Sequence, residues 1–433
     1  MKILVVGGGG REHAICWKIA QSPKCEKLYC APGNAGISEV AECVNIGPME
    51  FDKLTAFAKE KEIDLTVVGM DDPLVGGIVD AFEKEGLRVF GPRKNAAILE
   101  GSKAFSKELM KKYHIPTAGY ETFDDPQAAM DYILKKNTYP IVLKADGLAL
   151  GKGVLICENE EMARDGVKEI MEDKKFGTAG DKMVVEDFMT GPEVSVLSFV
   201  DGKIVKTMAS AMDHKRALDG DKGLNTGGMG NISPAPYYTK DVDDFCRKYI
   251  FQPTVDAMAA EGRPFKGVIF FGLMITPDGP KVLEYNARFG DPEAQVVLPR
   301  MENDIVDVFE ACIDGKLDQV DLRFTDNACV TVVEASGGYP VAYKKGYPIK
   351  GLENFKGKEG CYVFHAGTKF NEKGEIVTNG GRVLDVTAIG KDLKEARANA
   401  YKAVDLVTFR DAFYRHDIGH AIEDAEHDLA GEQ

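Results

Sequence analysis

Apolar runs alternate with amphipathic segments over the first 100 residues of the chain. Continuous apolar runs bounded by turn residues predict buried strands, and apolar residues at every third or fourth position predict helices that pack on them. These patterns predict strands at 2–6, 27–30, 64–68 and 87–90, and helices at 11–21, 51–62 and 74–84. Alternation of this kind predicts a parallel α/β layer with ligands at the carboxyl ends of its strands.

From about residue 101 the pattern contains more strands, so a multidomain protein with both α/β and α+β parts is expected. Helices are predicted at 103–113, 160–172 and 241–261, and strands at 140–145, 154–157, 183–186, 194–200 and 203–208, with a hairpin at 267–276 and 281–288. Residues 213–236 show no clear periodicity and are expected to form a long functional loop. Strands at 328–334, 361–368 and 382–389, a helix at 393–406 and a frayed acidic tail after Ile422 are expected to follow.

The strand at 281–288 carries three polar side chains on one face. Side chains alternate along a strand, so Glu284, Asn286 and Arg288 point the same way. A carboxylate and an amide oxygen suit Mg²⁺, and a guanidinium suits phosphate or carboxylate. Asp291 and Glu293 are interpreted as the N-cap and first-turn acid of the next helix. The alternative is an edge strand with a solvated face and a well-capped helix.

Three glycines, Gly8, Gly9 and Gly10, follow the first strand. They do not complete the dinucleotide-binding fingerprint, because Glu12 or His13 stands at the position of its third glycine. The glycines still expose backbone N–H groups at the start of a helix, which favours a bound phosphate. The alternative is that they only allow a tight turn between strand and helix.

A second glycine-rich loop joins the strands at 140–145 and 154–157. It is not a Walker A motif, because three residues rather than four separate Gly147 from Gly151 and a glycine follows Lys152. A glycine-rich hairpin can instead bring backbone N–H groups to phosphate oxygens, with added charge from Lys152. Lys144 is a second phosphate candidate, or alternatively a strand-end lysine whose stem packs on apolar surface.

The segment 213–230 is both charged and glycine-rich, with Asp213 and Lys215 near its start and the sequence NTGGMG at its end. The glycine density favours a lid or a loop that approaches a substrate closely, and the alternative is a solvated loop. The apolar strand that ends at Glu186 and Asp187 predicts no ligand by itself, because strands followed by polar turns are common.

Composition excludes several functional classes. A net charge of −15 argues against nucleic acid or an anionic membrane as the main partner. Nine cysteines without a CxxC pair are typical of reduced thiols in the cytoplasm. No apolar run approaches the ~20 residues of a membrane span, and the apolar start followed by glycines predicts a buried strand rather than a signal peptide. We therefore expect a cytoplasmic protein that binds neither nucleic acid nor membrane.

Six motifs occur in order along the chain: KILVVGGGGREHAI at 2–15, APGNAG at 31–36, EGSKAFSK at 100–107, LKADGLALGKGV at 143–154, AMDHKRALDGDKGLNTGGMG at 211–230 and EYNARFGDPEAQ at 284–295. Together they resemble the ATP-grasp ligases and, within them, the glycinamide ribonucleotide synthetase family. RFGDPEAQ at 288–295 is the most specific of the matching runs. The resemblance covers nearly the whole chain, so no second fused enzyme is expected.

The resemblance implies an N-terminal parallel α/β domain at 1–101, an ATP-grasp domain at 102–325 with a lid subdomain at about 122–192, and a small C-terminal α+β domain at 326–433. It implies a ligase of purine biosynthesis that uses ATP and Mg²⁺ or Mn²⁺. The expected reaction joins glycine to 5-phosphoribosylamine through a glycyl phosphate and gives glycinamide ribonucleotide, ADP and phosphate. A monomer is expected. The rival hypotheses are an ATP-grasp ligase with a different amine acceptor and a catalytically silent nucleotide-binding or scaffold protein.

The resemblance also implies a role for individual residues. ATP would contact Lys103, Lys144, Gly151, Lys152, Gly153, Glu186, Asp187, Phe188, Met189 and Glu193. The substrates would contact Gly8, Gly9, Gly10, Asp213, Lys215, Thr226, Gly227, Gly228, Met229, Gly230, Arg288 and Asp291. Glu284 and Asn286 would hold the metal. Arg288 and Lys152 would be catalytic, with Arg288 stabilising the charge that develops on the acyl phosphate.

The sequence departs from the family pattern at two places. Many ATP-grasp enzymes carry another acidic metal ligand on the strand before the Glu-x-Asn strand, whereas residues 268–274 contain no carboxylate. Fewer protein ligands to the metal are therefore expected. Met70, Asp71 and Asp72 stand where the family more often has Pro-Glu, which leaves the role of that loop open.

Overall fold

The computed structural model describes residues 1–431, which form three domains of mixed helix and sheet. The first part contains β1 (Lys2–Gly7), α1 (Gly10–Ile19), β2 (Lys27–Pro32), β3 (Glu42–Cys43), α2 (Phe51–Glu60), β4 (Leu65–Val68), α3 (Asp71–Gly76), α4 (Ile78–Lys84), β5 (Val89–Phe90) and α5 (Lys94–Gly101). Its five strands pair in parallel in the order β3-β2-β1-β4-β5. The predicted parallel layer is therefore confirmed, and the loops after β1 and β4 lie at its carboxyl edge.

A four-stranded antiparallel sheet comes next in the chain. It is built from α6 (Lys103–Lys112), β6 (Tyr120–Phe123), α7 (Pro126–Lys136), β7 (Ile141–Ala145), β8 (Val154–Cys157), α8 (Glu160–Val167, continued by a π turn at Lys168–Glu172) and β9 (Met183–Asp187), with the strand order β6-β9-β7-β8. Leu143 and Val185 pack in an apolar cluster with helices α7 and α8. Lys144 and Glu186 alternate with them, so these two side chains point to the opposite face.

An eight-stranded antiparallel sheet forms the largest layer. The remaining elements are β10 (Glu193–Asp201), β11 (Val205–Asp213), β12 (Arg216–Leu218), β13 (Lys222–Asn225), β14 (Gly230–Ser233), α9 (Lys240–Cys246), α10 (Gln252–Ala260), β15 (Lys266–Thr276), β16 (Gly279–Asn286), α11 (Glu293–Val297), α12 (Ile305–Asp314), β17 (Ala328–Ala335), β18 (Cys361–His365), β19 (Thr368–Phe370), β20 (Ile376–Thr378), β21 (Arg382–Gly390), α13 (Leu393–Val404) and α14 (Ala421–Ala430). The sheet order is β16-β15-β10-β11-β14-β17-β21-β18. Because β14 pairs with β17, the sheet crosses the predicted boundary between residues 325 and 326, and the domain boundaries stay predictions.

Three predicted elements differ in the structure. Residues 213–236 are not irregular, because they contain the β12–β13 hairpin and β14. These strands escaped prediction because they are short, and two of them do not alternate: β13 is exposed throughout and β14 is buried throughout. The predicted helix at 74–84 is interrupted at Gly77, which has a φ of 97°. The tail after Ile422 is helical as far as Ala430, and its last two residues lie outside the described part of the chain.

Within residues 1–431, no helix is long and apolar enough to cross a membrane. All nine cysteines are free thiols, and six of them are buried.

Candidate active site

A cavity of about 710 Å³ lies between the four-stranded sheet, the β16 edge of the large sheet and the first turns of α1 and α3, which contribute Arg11 and Asp71. Most of the residues expected to contact ATP, metal or substrate line it, namely Lys103, Lys144, Gly151, Gly153, Glu186, Asp187, Phe188, Met189, Glu193, Asp213, Lys215, Thr226, Gly227, Glu284, Asn286, Arg288 and Asp291. Side chains from all three parts of the chain thus converge on one concave site, which is the usual form of a small-molecule site.

Seven expected site residues lie outside the lining of this cavity, namely Lys152, Gly8, Gly9, Gly10, Gly228, Met229 and Gly230. The Lys152 side chain is exposed on the loop of the β7–β8 hairpin. Gly9 and Gly228 lie directly behind lining side chains. A Cβ atom on Gly9 would stand 3.4 Å from Asp291 Oδ2, and one on Gly228 would stand 2.7 Å from Asp213 Oδ1. Gly228 therefore allows a close approach to Asp213, whereas the distance at Gly9 is an ordinary contact.

Three lysines and one glutamate meet at the closed end of the cavity. Glu186 Oε1 lies 3.2 Å from Lys107 Nζ, and Glu186 Oε2 lies 3.0 Å from Lys144 Nζ. Lys103 Nζ donates to the Gly147 carbonyl at 3.0 Å, which ties α6 to the glycine-rich loop. Burial lowers the pKa of Lys103, and lowers the pKa of Lys107 to about 8, although neighbouring carboxylates act in the opposite direction. The excess of positive charge suits the phosphates of a nucleotide.

The two expected metal ligands lie on β16. Glu284 and Asn286 face the cavity, and Tyr285 between them is buried in the core. Their oxygens fit a divalent cation that takes its other ligands from nucleotide phosphates and water, as Mg²⁺ usually does. In the described part of the chain, no group of three or more His, Cys, Asp or Glu side chains could hold a metal ion. A cation at Glu284 and Asn286 would therefore depend on the nucleotide for its remaining ligands.

Glu284 lies in a positive environment. Burial acts to raise the pKa of Glu284, but Lys215, Lys144 and Lys103 outweigh burial, so the pKa is lowered. Lys215 Nζ lies 3.8 Å from Glu284 Oε1 and 3.1 Å from Glu193 Oε2. The carboxylate is thus ionised at neutral pH, as metal binding requires.

Arg288 is held beside the cavity by Glu100. Its Nη2 lies 3.3 Å from Glu100 Oε1, and its Nη1 donates to the Phe289 carbonyl at 3.2 Å. Glu100 Oε2 accepts from the backbone N of Ala287 at 2.9 Å. Arg288 Nε is buried, and nothing within residues 1–431 accepts a hydrogen bond from it. A buried N–H donor without an acceptor costs free energy. An anionic ligand that accepts a hydrogen bond from Arg288 would remove this cost.

Asp291 does not cap a helix. Helix α11 begins at Glu293 without a side-chain cap. Asp291 Oδ1 accepts from Gln295 Nε2 at 2.7 Å, and Oδ2 accepts from the backbone N of Arg11 at 3.4 Å. Burial acts to raise the pKa of Asp291, but Arg382 and Arg11 outweigh it and lower the pKa. The helix-cap interpretation is wrong, because this carboxylate caps no N–H group of α11 and instead links the Gln295 side chain to the backbone of Arg11.

Two further acids lie in the cavity wall, Glu293 buried and Asp213 half-buried. Burial raises the pKa of Asp213 to about 7 and that of Glu293 to about 8, and the neighbouring Asp213 adds to the effect on Glu293. Glu293 Oε2 accepts from Asn231 Nδ2 at 3.3 Å. These carboxyl groups can therefore hold or release a proton near neutral pH.

Sequence reasoning assigned no ligand role to five residues that line the cavity: Arg11, Glu100, Lys107, Glu293 and Arg382. Lys107 did carry a signal, because it follows Lys103 by four residues and so lies on the same face of α6. Arg382 carried no such spacing signal, because β21 brings it to the cavity only in the folded chain.

Comparison with known protein families accounts for nearly the whole chain. Three models of phosphoribosylglycinamide synthetase match it in order: the N domain at residues 1–100, the ATP-grasp (A) domain at residues 101–294 and the C domain at residues 329–421.

Individual relatives agree with this family. The phosphoribosylamine–glycine ligase of Caldanaerobacter subterraneus subsp. tengcongensis is 50% identical over 418 residues, which is 96% of this chain and 99% of the relative. The crystal structure of phosphoribosylamine–glycine ligase from Thermotoga maritima is 33% identical with a TM-score of 0.83, and the match covers 96% of this chain and 100% of that one. The biotin carboxylase domain of Hydrogenobacter thermophilus 2-oxoglutarate carboxylase is similar in fold, at 17% identity and a TM-score of 0.73 over 98% and 93% of the two chains.

Proposed function

Because this chain belongs to the phosphoribosylglycinamide synthetase family, we propose that it uses ATP to join glycine to 5-phosphoribosylamine. The γ-phosphoryl group of ATP passes to the glycine carboxylate, and ADP leaves. The amine of phosphoribosylamine then attacks the acyl carbon of the glycyl phosphate and loses a proton, while phosphate departs. The product is glycinamide ribonucleotide, and the step belongs to purine biosynthesis.

One observation carries the proposal: Lys103, Lys144, Glu284, Asn286 and Arg288 converge on a single cavity. Enzymatic phosphoryl transfer depends almost entirely on positioning and on stabilisation of negative charge, and this set supplies both. A silent nucleotide-binding or scaffold protein has no need for cations, a carboxylate–amide pair and an arginine whose Nε finds no acceptor within residues 1–431, all in the same cavity.

ATP lies, in this proposal, between the four-stranded sheet and β16. Lys103 and Lys144 contact its phosphates, together with backbone N–H groups of the glycine-rich hairpin at Gly151, Lys152 and Gly153. The strand end formed by Glu186, Asp187, Phe188 and Met189 meets the adenine, and Glu193 meets the ribose. The lining of one cavity by all of these residues except Lys152 supports this arrangement. The Lys152 side chain, which is exposed, is proposed as a phosphate contact from the hairpin.

Charge stabilisation comes from Arg288 and from a divalent cation. We assign Glu284 and Asn286 to Mg²⁺ or Mn²⁺, which when bound neutralises charge on the nucleotide phosphates. Arg288 contacts the oxygen on which charge develops as the acyl phosphate forms, since its buried Nε has no acceptor within the described chain. The enclosing walls exclude water, which would otherwise hydrolyse the glycyl phosphate.

Glycine and phosphoribosylamine occupy the end of the cavity nearer the first and last domains. Their proposed contacts are Gly8, Gly9, Gly10, Asp213, Lys215, Thr226, Gly227, Gly228, Met229, Gly230, Arg288 and Asp291. The link between Asp291 and the backbone N of Arg11 supports a substrate site that spans the domains. No strong general base is needed if the amine arrives neutral. We further propose that the enzyme is a monomer and that it is located in the cytoplasm. The free cysteines support the proposed location.

The proposal is tested by phosphate release with ATP, glycine and phosphoribosylamine, with each omitted in turn. Phosphate and glycinamide ribonucleotide are expected only when all three are present with a divalent cation. Chelation followed by addition of Mg²⁺ or Mn²⁺ determines which ion supports turnover. Absence of product with the complete mixture would refute the proposal, and product with another amine alone would indicate a ligase with a different acceptor.

A further inference from the structure

Lys107 lines the cavity, yet its ammonium group is engaged by the protein. Its Nζ donates to Thr117 Oγ1 at 2.7 Å and to the Ala118 carbonyl at 3.3 Å, and it lies 3.2 Å from Glu186 Oε1. Three protein oxygens therefore surround the ammonium group, two as hydrogen-bond acceptors and one as an ion-pair partner. Lys107 therefore acts on the protein rather than on a bound molecule.

Lys144 differs from Lys107 in this respect. Among residues 1–431, its Nζ has two partners, Glu186 Oε2 at 3.0 Å and the Leu283 carbonyl at 3.3 Å. One donor remains for a molecule in the cavity that Lys144 lines. Glu186 connects the two lysines, because each of its oxygens faces one ammonium group.

The same contacts join the two sheets that face each other across the cavity. Thr117 Oγ1, which accepts from Lys107, donates to the Val282 carbonyl at 2.7 Å. Val282 and Leu283 belong to β16, the strand that carries Glu284, whereas Glu186 belongs to β9 of the four-stranded sheet. Lys107 thus links β9 to β16, through Glu186 on one side and Thr117 on the other.

We propose that Lys107 is a positioning residue for the nucleotide: by fixing Glu186 and Thr117, it directs the free donor of Lys144 into the cavity and sets the spacing of the two sheets. This inference rests on the proposed function, because the nucleotide is the ATP of that reaction. In the absence of Lys107, Lys144 is the only cation beside Glu186 in this cluster. The Lys144 ammonium is then drawn towards both oxygens of Glu186 and away from the ligand.

The charge on Lys107 is sensitive to pH. Burial lowers its pKa to about 8, against the opposing effect of Glu186. The other groups that face it are Lys144 and Asp187, and the Tyr120 ring, whose centroid lies 5.6 Å from Nζ. The ammonium form is therefore lost as pH rises above about 8, and the positioning contact to Glu186 weakens with it.

The test measures ADP binding by calorimetry, together with kcat and the KM for ATP, in Lys107→Met, Lys107→Arg and the matched control Lys111→Met. Lys111 is exposed on the next turn of the same helix. We expect Lys107→Met to weaken ADP binding by about tenfold or more, since a hydrogen-bonded buried charge is removed. The KM for ATP should rise more than kcat falls. Lys107→Arg should recover part of the affinity, and Lys111→Met should match the wild type.

A pH series separates positioning from a purely structural role. Wild-type affinity for ADP should fall between pH 7 and pH 9, and Lys107→Arg should remove this fall because arginine keeps its charge. Wild-type ADP affinity in folded Lys107→Met would overturn the inference. If that variant does not fold, Thr117→Val decides: weaker ADP binding supports the inference, and unchanged binding overturns it. ADP binding needs neither glycine nor phosphoribosylamine, so failure here is distinct from failure of the proposed ligase activity.

Discussion

Arg288→Lys is expected to lower kcat by about 10²–10³-fold while changing the KM for ATP by less than about threefold. Lysine keeps the positive charge but replaces five N–H donors in a planar fork by three on a flexible stem. It cannot at once pair with Glu100, donate to the Phe289 carbonyl and occupy the position of Nε. The contact that is lost is the one to charge developing on the acyl phosphate, so the loss falls on kcat.

The magnitude follows from the partners of the guanidinium. Nη2 lies 3.3 Å from Glu100 and Nη1 donates to the Phe289 carbonyl at 3.2 Å, which leaves Nε and the remaining N–H groups of Arg288 for a ligand. Loss of one preorganised donor at a developing oxyanion costs about 2.7–4 kcal/mol, which is roughly 10²–10³-fold in rate. Weaker pairing of the buried Glu100 affects the folded state and is expected to appear in Tm.

Steady-state phosphate release at saturating glycine and phosphoribosylamine measures kcat, and a titration of ATP measures its KM. Arg323→Lys is the matched control, because Arg323 is exposed and pairs with Asp321 at the surface; it should leave both constants unchanged. A melting curve for each variant separates loss of fold from loss of catalysis. A kcat within about fivefold of wild type for Arg288→Lys would refute the role assigned to the unpartnered Nε.

Three further changes have distinct expected results. Glu284→Gln should lower cation-dependent turnover by about 10²-fold or more and raise the Mg²⁺ concentration needed; near-wild-type turnover would remove Glu284 from the metal site. Burial, with a smaller effect of Asp405, raises the pKa of Glu334 from 4.5 to about 8, so this group makes the wild type less stable as pH rises through that window. The Tm of Glu334→Gln should therefore exceed that of the wild type by an amount that grows from pH 6 to pH 9. A difference in Tm that stays constant over this range would contradict the raised pKa of Glu334. Gly228→Ala, at a φ of 124° with its Cβ 2.7 Å from Asp213 Oδ1, should lose more stability and activity than Gly262→Ala, which has a φ of 71° and open space around it; equal effects would show that the contact does not matter.

Local patterns predicted most of the regular fold. Buried strands such as β1 and β4 are continuous apolar runs, and a run of that kind has few alternatives to a position inside a parallel sheet. The glycine-rich loop joins an antiparallel hairpin as expected, because its flanking strands each carry their own apolar signal. The short strands between residues 213 and 236 were missed, since three or four residues carry too little periodicity to identify a strand.

Only part of the candidate site could be predicted from the sequence. The alternation of Glu284, Asn286 and Arg288 placed them on one side of the chain, and the cavity contains all three. Asp291 stayed open between a helix cap and a substrate contact, because the two look the same in a sequence; the structure excludes the cap.

The sequence by itself determined the family, the order of the motifs and which strand and loops carry the chemical groups, because these depend on residue identity and near neighbours. Only the tertiary structure decided which of these groups share a cavity and what state they have there. It surrounded Glu284 with lysines, left Arg288 Nε without an acceptor among residues 1–431 and gave Lys107 three protein partners. The physical reason is that burial and hydrogen bonding come from elements far apart in the chain, and these contacts set the charge and free donors of each side chain.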